Sequence, residues 1–459
     1  MPPQDPSSRA RKLEELAREN VRALVERNRS DPGYDGPVVS PRRIGSVGII
    51  GAGQMGTSIA AAHLRAGSPV KITDHDADVR AVAPQRVAAE LTADMPADEA
   101  HRAVERLLVV VERESELADC DLVLESIVEA FASKRDLFER MERHWSRAAL
   151  VASNTSTIPI GRLAAVLADP SRFCGLHFCH PVRQRPLVEV VRGPRTSDAT
   201  VATAVAHAKA LGKMPIVVAD GPGFLVNRLL LPYLGEALEL LLEGATVDQI
   251  EQAAEDFGFA KGPLRLLDEI GLDTTLHAGW VLAEAFPERI VASPLLVAMV
   301  KSGKLGRKSG AGFFFYADDL ESDPVSAPVA RRAGSRPGRH PVDPLVPELV
   351  AKWAKPSQPH TPHSIIMRML LPMVLEASRL LEENKVRDSR DIDLAVIFGL
   401  GFPESKGGLL WWADSLSAAR IVEMLRSMQS LGARAEPTHG LLAMARSHRR
   451  YYERPAAAR

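Results

Sequence analysis

The chain of 459 residues predicts an α/β domain with a largely parallel sheet, followed by two all-helical domains. Two observations predict this order. From about residue 44 to 222, short runs rich in β-branched residues alternate with helix-like stretches, which is typical of β–α–β units. After residue 223 the pattern is almost wholly helical, and part of it recurs further along the chain.

The composition is that of a globular chain that can bury large cores, with 46% hydrophobic and 25% charged residues. The 57 basic and 58 acidic residues give a formal charge of −1, so no global field attracts nucleic acid. The N-terminus lacks the apolar core of a signal peptide, and no apolar run is long enough to span a membrane. Three cysteines are too few for a disulfide framework. We therefore expect a cytoplasmic protein without a membrane span or a nucleic-acid partner.

Residues 1–42 predict an N-terminal helical arm. One helical face of residues 10–29 carries five apolar side chains, namely Leu13, Leu16, Val21, Leu24 and Val25. The segment SDPGYDGP then ends the helix. Such a face packs on the rest of the chain or binds a partner protein.

Residues 43–222 predict the α/β domain. Seven runs read as strands: SVGII, PVKIT, DLVLESIV, ALVAS, CGLHF, PLVEVV and PIVVA.

Residues 223–318 and 345–459 predict two helical domains that repeat one pattern. NRLLLPYLGEALELLLEG at 227–244 aligns with MRMLLPMVLEASRLLEEN at 367–384, and both copies run through a glycine-rich turn to an aspartate, Asp268 or Asp414. The alternative is two unrelated helical bundles of similar composition. Unrelated bundles would not be expected to carry the Leu-Pro dipeptide at the same position of the aligned segments. Residues 319–344, rich in proline and arginine, predict a linker. We expect the copies to dock as an internal pseudo-dimer, with a monomeric protein as the result.

A glycine motif at the end of the first predicted strand points to a dinucleotide. In GAGQMG, Gly51 permits the turn, Gly53 lets the backbone approach a pyrophosphate, and Gly56 lets helix and strand pack closely. The predicted site includes the intervening Gln54 and Met55.

Asp74 ends the next strand, where its carboxylate can accept a hydrogen bond from a ribose hydroxyl and would repel a 2′-phosphate. These features predict a Rossmann-type domain that binds NAD and not NADP. An ordinary strand-end acid is the alternative reading of Asp74.

Four polar residues predict hydride-transfer chemistry. Oxidation of an alcohol needs a base, an acid that orients the base, and donors that hold the oxygen. His177, Glu189, Ser156 and Asn227 supply these groups. A histidine that closes an apolar strand is more often structural, which is the alternative reading of His177 when it is taken alone.

Four motifs resemble the L-3-hydroxyacyl-CoA dehydrogenase family of fatty-acid β-oxidation: SNTST, HFCHPV with LVEV, PGFLVNR, and GRKSGAGFF. The resemblance runs from about residue 44 to 316. Residues 345–440 resemble the second C-terminal unit of the large multifunctional β-oxidation subunit. We expect no counterpart of its hydratase domain, and therefore one chemistry.

The resemblance implies a Rossmann-type NAD-binding domain followed by two tandem all-α C-terminal domains, and an acyl-CoA as substrate. It also implies that His177 is the base, that Glu189 is its partner, and that Ser156 and Asn227 bind the substrate oxygen. Glu129, Lys134 and Asn154 are implied to line the nicotinamide and ribose side. The second copy has Met367 where the first has Asn227, so we expect it to be structural.

The chain departs from the family pattern at three places. Cys179 and His180 replace an aromatic residue and an amide. With Cys174 and His177 they could be taken for metal ligands, but strand alternation sends neighbouring residues to opposite faces, and we predict no metal. The segment that corresponds to the CoA-binding helical hairpin is shorter and poorer in lysine, so Arg80 and Arg86 are candidate substitutes. Arg183 and Arg185 stand where the family usually has a methionine, and Arg185 is a candidate for substrate binding.

We therefore expect NAD-dependent, reversible oxidation of an L-3-hydroxyacyl-CoA. Two alternatives remain: a dehydrogenase of a free 3-hydroxy acid or sugar acid, and an inactive NAD-binding scaffold subunit.

Overall fold

The computed structural model describes residues 6–34, 39–316 and 340–452. Within these ranges the chain forms two compact units. The sheet unit consists of Arg18–Val226 and Leu380–Leu400, and the helical unit takes the described parts of Met1–Ala17, Asn227–Arg379 and Gly401–Arg459.

The described part of the sheet unit contains one eight-stranded sheet in the order β3-β2-β1-β4-β5-β6-β7-β8. Its strands are β1 Val47–Ile50, β2 Val70–Thr73, β3 Leu108–Val110, β4 Leu122–Glu125, β5 Leu150–Ser153, β6 Phe173–Phe178, β7 Leu187–Arg192 and β8 Met214–Ala219. Neighbours run parallel except β6 and β7, which are antiparallel. Each of the seven predicted runs overlaps one strand, and of the strands in the described residues the sequence analysis missed β3.

The register of the sheet brings the ends of its central strands together. Ile50 of β1 pairs with Thr73 of β2 and Glu125 of β4, and Glu125 pairs in turn with Ser153 of β5. The carboxyl ends of parallel strands form the edge at which open α/β sheets bind ligands. The segments after these strands carry the predicted cofactor and substrate residues.

Six helices flank these strands: α2 Gln54–Arg65, α3 Ala77–Thr92, α4 Ala97–Leu107, α5 Phe131–Met141, α6 Ile160–Leu163 and α7 Asp198–Ala210. The strands β1, β4, β5 and β6 are buried along their whole length, as expected for parallel strands covered on both faces. Ile49 of β1, Ile59 of α2 and Val201 of α7 belong to one apolar core.

The N-terminal arm forms helix α1, Pro6–Ser30. Val21 and Leu24 are buried, whereas Leu13 is 51% and Leu16 40% exposed, so the apolar face is buried over only part of its length. That this face packs on the chain or binds a partner protein stays a prediction. Helical periodicity shows which face of a helix can be buried. It does not show how far along the helix a packing surface extends.

The helical unit contains the helices α8 Val226–Leu242, α9 Val247–Phe257, α10 Pro263–Ile270, α11 Leu272–Ala285, α12 Pro294–Lys301, α13 Leu345–Lys352, α14 Pro362–Glu382, α16 Leu409–Leu416, α17 Ala418–Arg426 and α18 His439–Ser447. The first residue of α8 and the last three residues of α14 belong to the sheet unit. The repeated segments begin with α8 and α14, each with an internal proline, Pro232 and Pro372.

The two opening helices exchange ion pairs in a reciprocal pattern. Arg228 on α8 donates to Glu376 on α14, with 2.7 Å from Nε to Oε1. Arg368 on α14 donates to Glu236 on α8, with 2.6 Å from Nε to Oε2. The repeat alignment equates Arg228 with Arg368 and Glu236 with Glu376. Such an exchange of equivalent contacts is the signature of a two-fold interface.

The two late aspartates also have equivalent roles. The carboxylate of Asp268 accepts hydrogen bonds from the N–H groups of Phe313 and Phe314, both at 2.9 Å. The carboxylate of Asp414 accepts from the N–H groups of Tyr451 and Tyr452, also at 2.9 Å. Each copy thus ties the helix that carries its late aspartate to the end of its own chain segment.

The second copy is not confined to the helical unit. Residues Leu380–Leu400, with the last turn of α14, helix α15 Ser389–Ala395 and a π-helix at Val396–Leu400, belong to the sheet unit. The docking of residues 345–440 on residues 223–318 stays a prediction, and residues 380–400 do not belong to the helical unit. Most of the predicted linker 319–344 lies outside the described residues. Its last part makes contacts, since Val342 bridges to Phe314 and Asp343 pairs with Lys304 at 2.5 Å.

No helix in the described residues is both long enough and apolar enough to cross a membrane.

Candidate active site

His177 and Glu189 lie directly opposite each other on the antiparallel strands β6 and β7. The Nδ1 atom of His177 lies 2.6 Å from Oε2 of Glu189. Because an ionised carboxylate can only accept, Nδ1 carries the proton and donates it. When the ring is neutral, this contact leaves Nε2 as the acceptor, which is the state that a general base requires.

Glu189 is fully buried and its second oxygen is also occupied. Oε1 accepts hydrogen bonds from the N–H groups of Leu225 at 2.9 Å and Val226 at 3.0 Å. Burial of a charge without partners is costly, and these donors offset that cost. The carboxylate is thus fixed on one side while it orients the imidazole on the other.

Phe224 precedes these two donors and has a φ of 50°. A non-glycine residue in the left-handed region costs roughly 1–2 kcal/mol. Such outliers cluster at functional sites. The Phe224 ring also lies against His177, with 6.0 Å between ring centroids. The sequence analysis missed this residue, although it lies inside the PGFLVNR motif.

Glu129 organises the loop that carries Ser156. Its Oε1 accepts from the N–H groups of Ser156 at 2.9 Å and Thr157 at 3.0 Å, and from the hydroxyl of Thr155 at 2.7 Å. Burial opposes ionisation of Glu129, but the charge of Lys134 and the bonds from Thr155 and Thr157 outweigh it and lower the pKa to about 2. Glu129 therefore acts as a permanently charged acceptor. The Ser156 hydroxyl lies 3.3 Å from the same oxygen.

Lys134 lies between two carboxylates and is only 1% exposed. Its Nζ is 2.5 Å from Oε1 of Glu125 and 3.3 Å from Oε2 of Glu129. The other oxygen of Glu125 accepts from the Ser153 hydroxyl at 2.5 Å. Glu125, which the sequence analysis missed, ends the apolar run LVLE, and this was the available signal.

The glycine motif forms a cradle whose three glycines have different roles. A Cβ atom on Gly51, which has a φ of 106°, would lie 2.3 Å from the carbonyl oxygen of Ser126, and one on Gly56 would lie 1.8 Å from that of Gly51. A Cβ atom on Gly53 would meet nothing within 4 Å. Fold packing therefore requires Gly51 and Gly56, whereas Gly53 faces open space next to the N-terminus of α2.

Helix α2 begins at Gln54 and includes Met55. Its N-cap residue is Gly53, so no side chain at this position caps the first N–H groups of the helix. Unsatisfied N–H groups at a helix N-terminus are a binding site for a phosphate group. The residues present thus fit the pyrophosphate of a dinucleotide.

Asp74 follows β2 and points its carboxylate at the glycine loop. Oδ2 accepts from the N–H group of Ala52 at 2.8 Å, and Oδ1 from that of Asp76 at 3.1 Å. The side chain thus joins the two loops that a bound adenosine ribose would contact. The position of Asp74 fits its predicted role as acceptor for a ribose hydroxyl. Its hydrogen bonds with Ala52 and Asp76 also give it a structural role.

The predicted residues Asn154, Arg80 and Arg86 have the following partners. Oδ1 of Asn154 accepts from the N–H group of Phe178 at 2.9 Å, which links the ends of β5 and β6. Arg80 donates to the carbonyl of Asp74 at 2.6 Å, and Arg86 to the carbonyl of Ala52 at 3.5 Å. Both arginines therefore lie at the nucleotide end of the sheet unit.

Arg185 lies half-buried in the loop between β6 and β7, and Arg183 of this loop pairs with Asp94 at 3.0 Å. Asn227 is the second residue of α8 and the first of the helical unit.

Cys174 in β6 and Cys179 directly after it are poor candidates for metal ligands. Burial raises the pKa of the Cys174 thiol to about 12 and raises that of Cys179 further. A thiol that stays protonated is a weak metal ligand, because the thiolate is the binding form. His180 is exposed.

Two family models match consecutive parts of the chain. The NAD-binding domain of 3-hydroxyacyl-CoA dehydrogenase matches residues 46–221, and the C-terminal domain of the same enzyme matches residues 223–316. The chain belongs to the 3-hydroxyacyl-CoA dehydrogenase family. The predictions of a Rossmann-type fold, of NAD as the cofactor and of an NAD-dependent dehydrogenase are thereby confirmed.

Solved structures of family members resemble this chain. The 3-hydroxybutyryl-CoA dehydrogenase of Escherichia coli K12 is 26% identical with a TM-score of 0.73, over 88% of this chain and 99% of that one. FadB2 of M. tuberculosis is 38% identical with a TM-score of 0.58, over 60% of this chain and 100% of that one. The (S)-3-hydroxybutyryl-CoA dehydrogenase PaaH1 of Ralstonia eutropha is 36% identical with a TM-score of 0.56, over 60% of this chain and 99% of that one.

Proposed function

We propose that the protein oxidises the 3-hydroxyl group of an L-3-hydroxyacyl-CoA to a ketone, reversibly and with NAD, in fatty-acid β-oxidation or related acyl-CoA metabolism. The observation that carries the proposal is the buried pair of His177 and Glu189, 2.6 Å apart, in the same unit as the dinucleotide cradle. Membership of the 3-hydroxyacyl-CoA dehydrogenase family supports the substrate class.

His177 takes the hydroxyl proton of the substrate at Nε2. Glu189 holds the ring in the tautomer that leaves Nε2 free and stabilises the positive charge that forms on the imidazole. Since Oε1 of Glu189 is already held by Leu225 and Val226, the carboxylate does not need to reorganise when this charge appears. In the reverse reaction the imidazolium returns the proton to the carbonyl oxygen.

Ser156 and Asn227 would hold the substrate oxygen by hydrogen bonds. The position of Ser156 is set by Glu129, which accepts from the N–H groups of the Ser156 loop, and Glu129 in turn is neutralised by Lys134. Because Lys134 is enclosed by two carboxylates, we assign it a positioning role in this loop, behind the predicted nicotinamide side.

The chemistry that NAD would supply in this cradle is acceptance of a hydride from C3 of the substrate. The chain would bind the pyrophosphate of NAD at the N-terminus of α2 and its adenosine ribose at Asp74. Asn154, which ties β5 to β6, would keep the nicotinamide side of the cradle in place next to the dyad strands.

The reciprocal ion pairs of α8 and α14 support an internal pseudo-dimer of the two helical copies, and we propose that the protein is a monomer on this basis.

The proposal is tested by NADH formation at 340 nm with three substrates: 3-hydroxybutyryl-CoA, a long-chain 3-hydroxyacyl-CoA and free 3-hydroxybutyrate. We expect turnover with at least one CoA thioester and little with the free acid. Preference for the free acid would favour the dehydrogenase of a 3-hydroxy acid. Absence of turnover with all substrates, together with retained NAD binding, would favour a scaffold subunit.

A further inference from the structure

The second helical copy lacks the serine, histidine and glutamate of the catalytic part of the chain, yet its residues Leu380–Leu400 belong to the sheet unit. We propose that this segment, here called the positioning segment, sets the geometry of the active site at two points. Gly399 supports the strand pair that carries His177 and Glu189, and Lys385 supports the helix that follows Ser156. The inference rests on the proposed function, because it assigns positioning residues to that reaction.

Gly399 lies against the same face of the strand pair as the catalytic dyad. Leu187 precedes Glu189 by two residues and Cys179 follows His177 by two, so strand alternation puts them on the dyad face. A Cβ atom on Gly399 would lie 2.6 Å from Cδ2 of Leu187 and 3.7 Å from Sγ of Cys179. The backbone of Gly399 is therefore packed against residues that lie two positions along the strand pair from the dyad.

Gly399 also packs against the donor that holds the acid. A Cβ atom on Gly399 would lie 3.5 Å from Cγ2 of Val226, whose N–H group donates to Glu189 at 3.0 Å. Leu187 is fully buried and cannot turn into solvent. Any side chain at residue 399 would therefore displace Leu187 and, through it, the strand that carries Glu189.

Lys385 acts at the other end of the positioning segment. Its carbonyl accepts from the N–H group of Ala219 at 2.8 Å, and its Nζ donates to the carbonyl of Asp220 at 2.7 Å. The carboxylate of Asp220 accepts from the N–H groups of Ile160 and Gly161, both at 2.7 Å. These two residues open α6, the helix that follows the Ser156 loop.

The N-terminal arm anchors the positioning segment to the sheet unit. Arg27 of the arm pairs with Asp388 through two bonds of 2.9 and 2.8 Å, and Arg387 pairs with Asp31 at 2.9 and 3.0 Å. Paired bonds of this kind fix geometry as well as energy. Asn28 of the arm donates to the carbonyl of Pro215 in β8 at 2.7 Å.

Substitution of Gly399 tests available space and not backbone strain, because its φ lies outside the left-handed region. The variants are Gly399→Ala, Gly399→Val and Lys385→Met in the full-length protein. The matched control is Gly279→Val, at a helical glycine whose Cβ atom would meet nothing within 4 Å. The readouts are kcat and KM for 3-hydroxybutyryl-CoA, the Kd of NAD from fluorescence quenching, and the pH titration of the His177 ring by NMR.

We expect Gly399→Val to lower kcat by about 10- to 100-fold, the loss that a misplacement of about 1 Å causes. Gly399→Ala and Lys385→Met should show smaller losses in kcat. The Kd of NAD should change by less than about twofold, because the cradle is on other strands, whereas the titration midpoint of His177 should shift. The control should match the wild type in all readouts.

The inference is overturned if folded Gly399 variants and Lys385→Met keep the wild-type kcat and His177 titration. It is also overturned if kcat falls only in proportion to the unfolded fraction with an unchanged titration. If Gly399→Val does not fold, the kcat and the His177 titration of Gly399→Ala and Lys385→Met test the inference. If the wild type oxidises no 3-hydroxyacyl-CoA, the proposed function fails, and the NMR titration still tests positioning of His177.

Discussion

At the scale of single residues, two carboxylates with different partners divide the work of the site. Glu189 binds one imidazole and two N–H groups, so its charge is directed to His177. Glu129 binds an ammonium group and the Ser156 loop, so its charge is used to hold the backbone. The same residue type therefore orients a base in one place and shapes a loop in the other.

Glu129→Gln tests the second of these roles. The amide loses the attraction to Lys134 and cannot accept the same set of hydrogen bonds, so we expect kcat to fall by about tenfold or more through misplacement of Ser156. Because the pKa of Glu129 is about 2, its ionisation should add no limb to the wild-type pH–rate profile above pH 4. Steady-state kinetics check this, with the exposed Glu139→Gln on α5 as the control. Wild-type kcat in Glu129→Gln would contradict the assigned role.

Asp74→Ala tests the nucleotide end. The Ala52 N–H group loses its acceptor, a ribose hydroxyl loses its predicted acceptor, and a 2′-phosphate is no longer repelled. We expect weaker NAD binding and a smaller preference for NAD over NADP, measured as the ratio of kcat/KM for the two cofactors. Asp98→Ala, at an exposed acid in the first turn of α4, is the control. An unchanged ratio would place the ribose contact at another residue.

At the scale of secondary structure, the sequence predicts the elements that carry a strong local pattern. β-branched runs mark seven strands, and GAGQMG marks the strand–helix turn, because only glycine fits at Gly51 and Gly56. The short strand β3 was missed although it lies in an apolar, β-branched run, LLVVV at residues 107–111, because this run directly follows helix α4 and reads as an extension of the helical pattern. The strand has three residues on the sheet edge, with Val109 53% exposed, so little burial constrains its sequence.

The candidate site was predictable only where its residues lie in recognisable motifs. His177 and Glu189 lie within predicted strands and Ser156 follows one, and alternation with pairing brings the first two together. The roles of Glu125, Thr155 and Phe224 depend on hydrogen bonds and packing between segments far apart in the chain. Contacts of this kind leave no characteristic spacing of residues in a single sequence. The contacts of Gly399 with β7 are of the same kind.

Helices α2 and α7 are joined by two buried histidines whose contact predicts sensitivity to acid. The Nε2 atoms of His63 and His207 are 3.0 Å apart, and Nδ1 of His63 donates to the carbonyl of Ile59 at 2.8 Å. Nε2 of His63 is then the acceptor and His207 the donor. Burial lowers the pKa of His63 to about 4 and, with the neighbouring His63, that of His207 to about 3.

Both pKa values lie below the value of about 6.5 for an unfolded histidine, so the unfolded chain binds more protons in acid. The free energy of unfolding should thus fall as pH drops from about 6.5 to about 4, by at most about 1.4 kcal/mol per pH unit for each histidine. Urea unfolding at several pH values measures this. In the double variant His63→Leu with His207→Leu, the free energy of unfolding should depend less on pH. In the control His101→Leu, at an exposed histidine, it should depend on pH as in the wild type. Equal slopes in all three proteins would contradict the prediction.

At the scale of the whole molecule, a duplicated helical sequence replaces a partner chain in our account. The reciprocal pairs of Arg228 with Glu376 and Arg368 with Glu236 are the contacts expected of two copies related by a two-fold axis. The repeat was visible in the sequence because the Leu-Pro step recurs in register. The division of the second copy between two units was not visible, because both parts have the same helical pattern.

A chain that ends at residue 318 tests the role of the second copy. It would lose α14, which faces α8, and expose the apolar surface that α14 covers. We expect the shortened protein to form dimers or aggregates, whereas the full-length protein remains a monomer in light scattering. A shortened chain that stays a soluble, active monomer would mean that the second copy does not serve as an internal partner.

The central claim is that His177, oriented by Glu189, removes the hydroxyl proton of a 3-hydroxyacyl-CoA. His177→Gln removes the base with little change in volume, and NADH formation with 3-hydroxybutyryl-CoA or the best CoA thioester measures the effect. We predict that kcat falls by about 100- to 10,000-fold, the range of general acid–base catalysis, while the Kd of NAD stays close to that of the wild type. A variant that keeps more than about half of the wild-type kcat would contradict the account, since that loss is far below the predicted range.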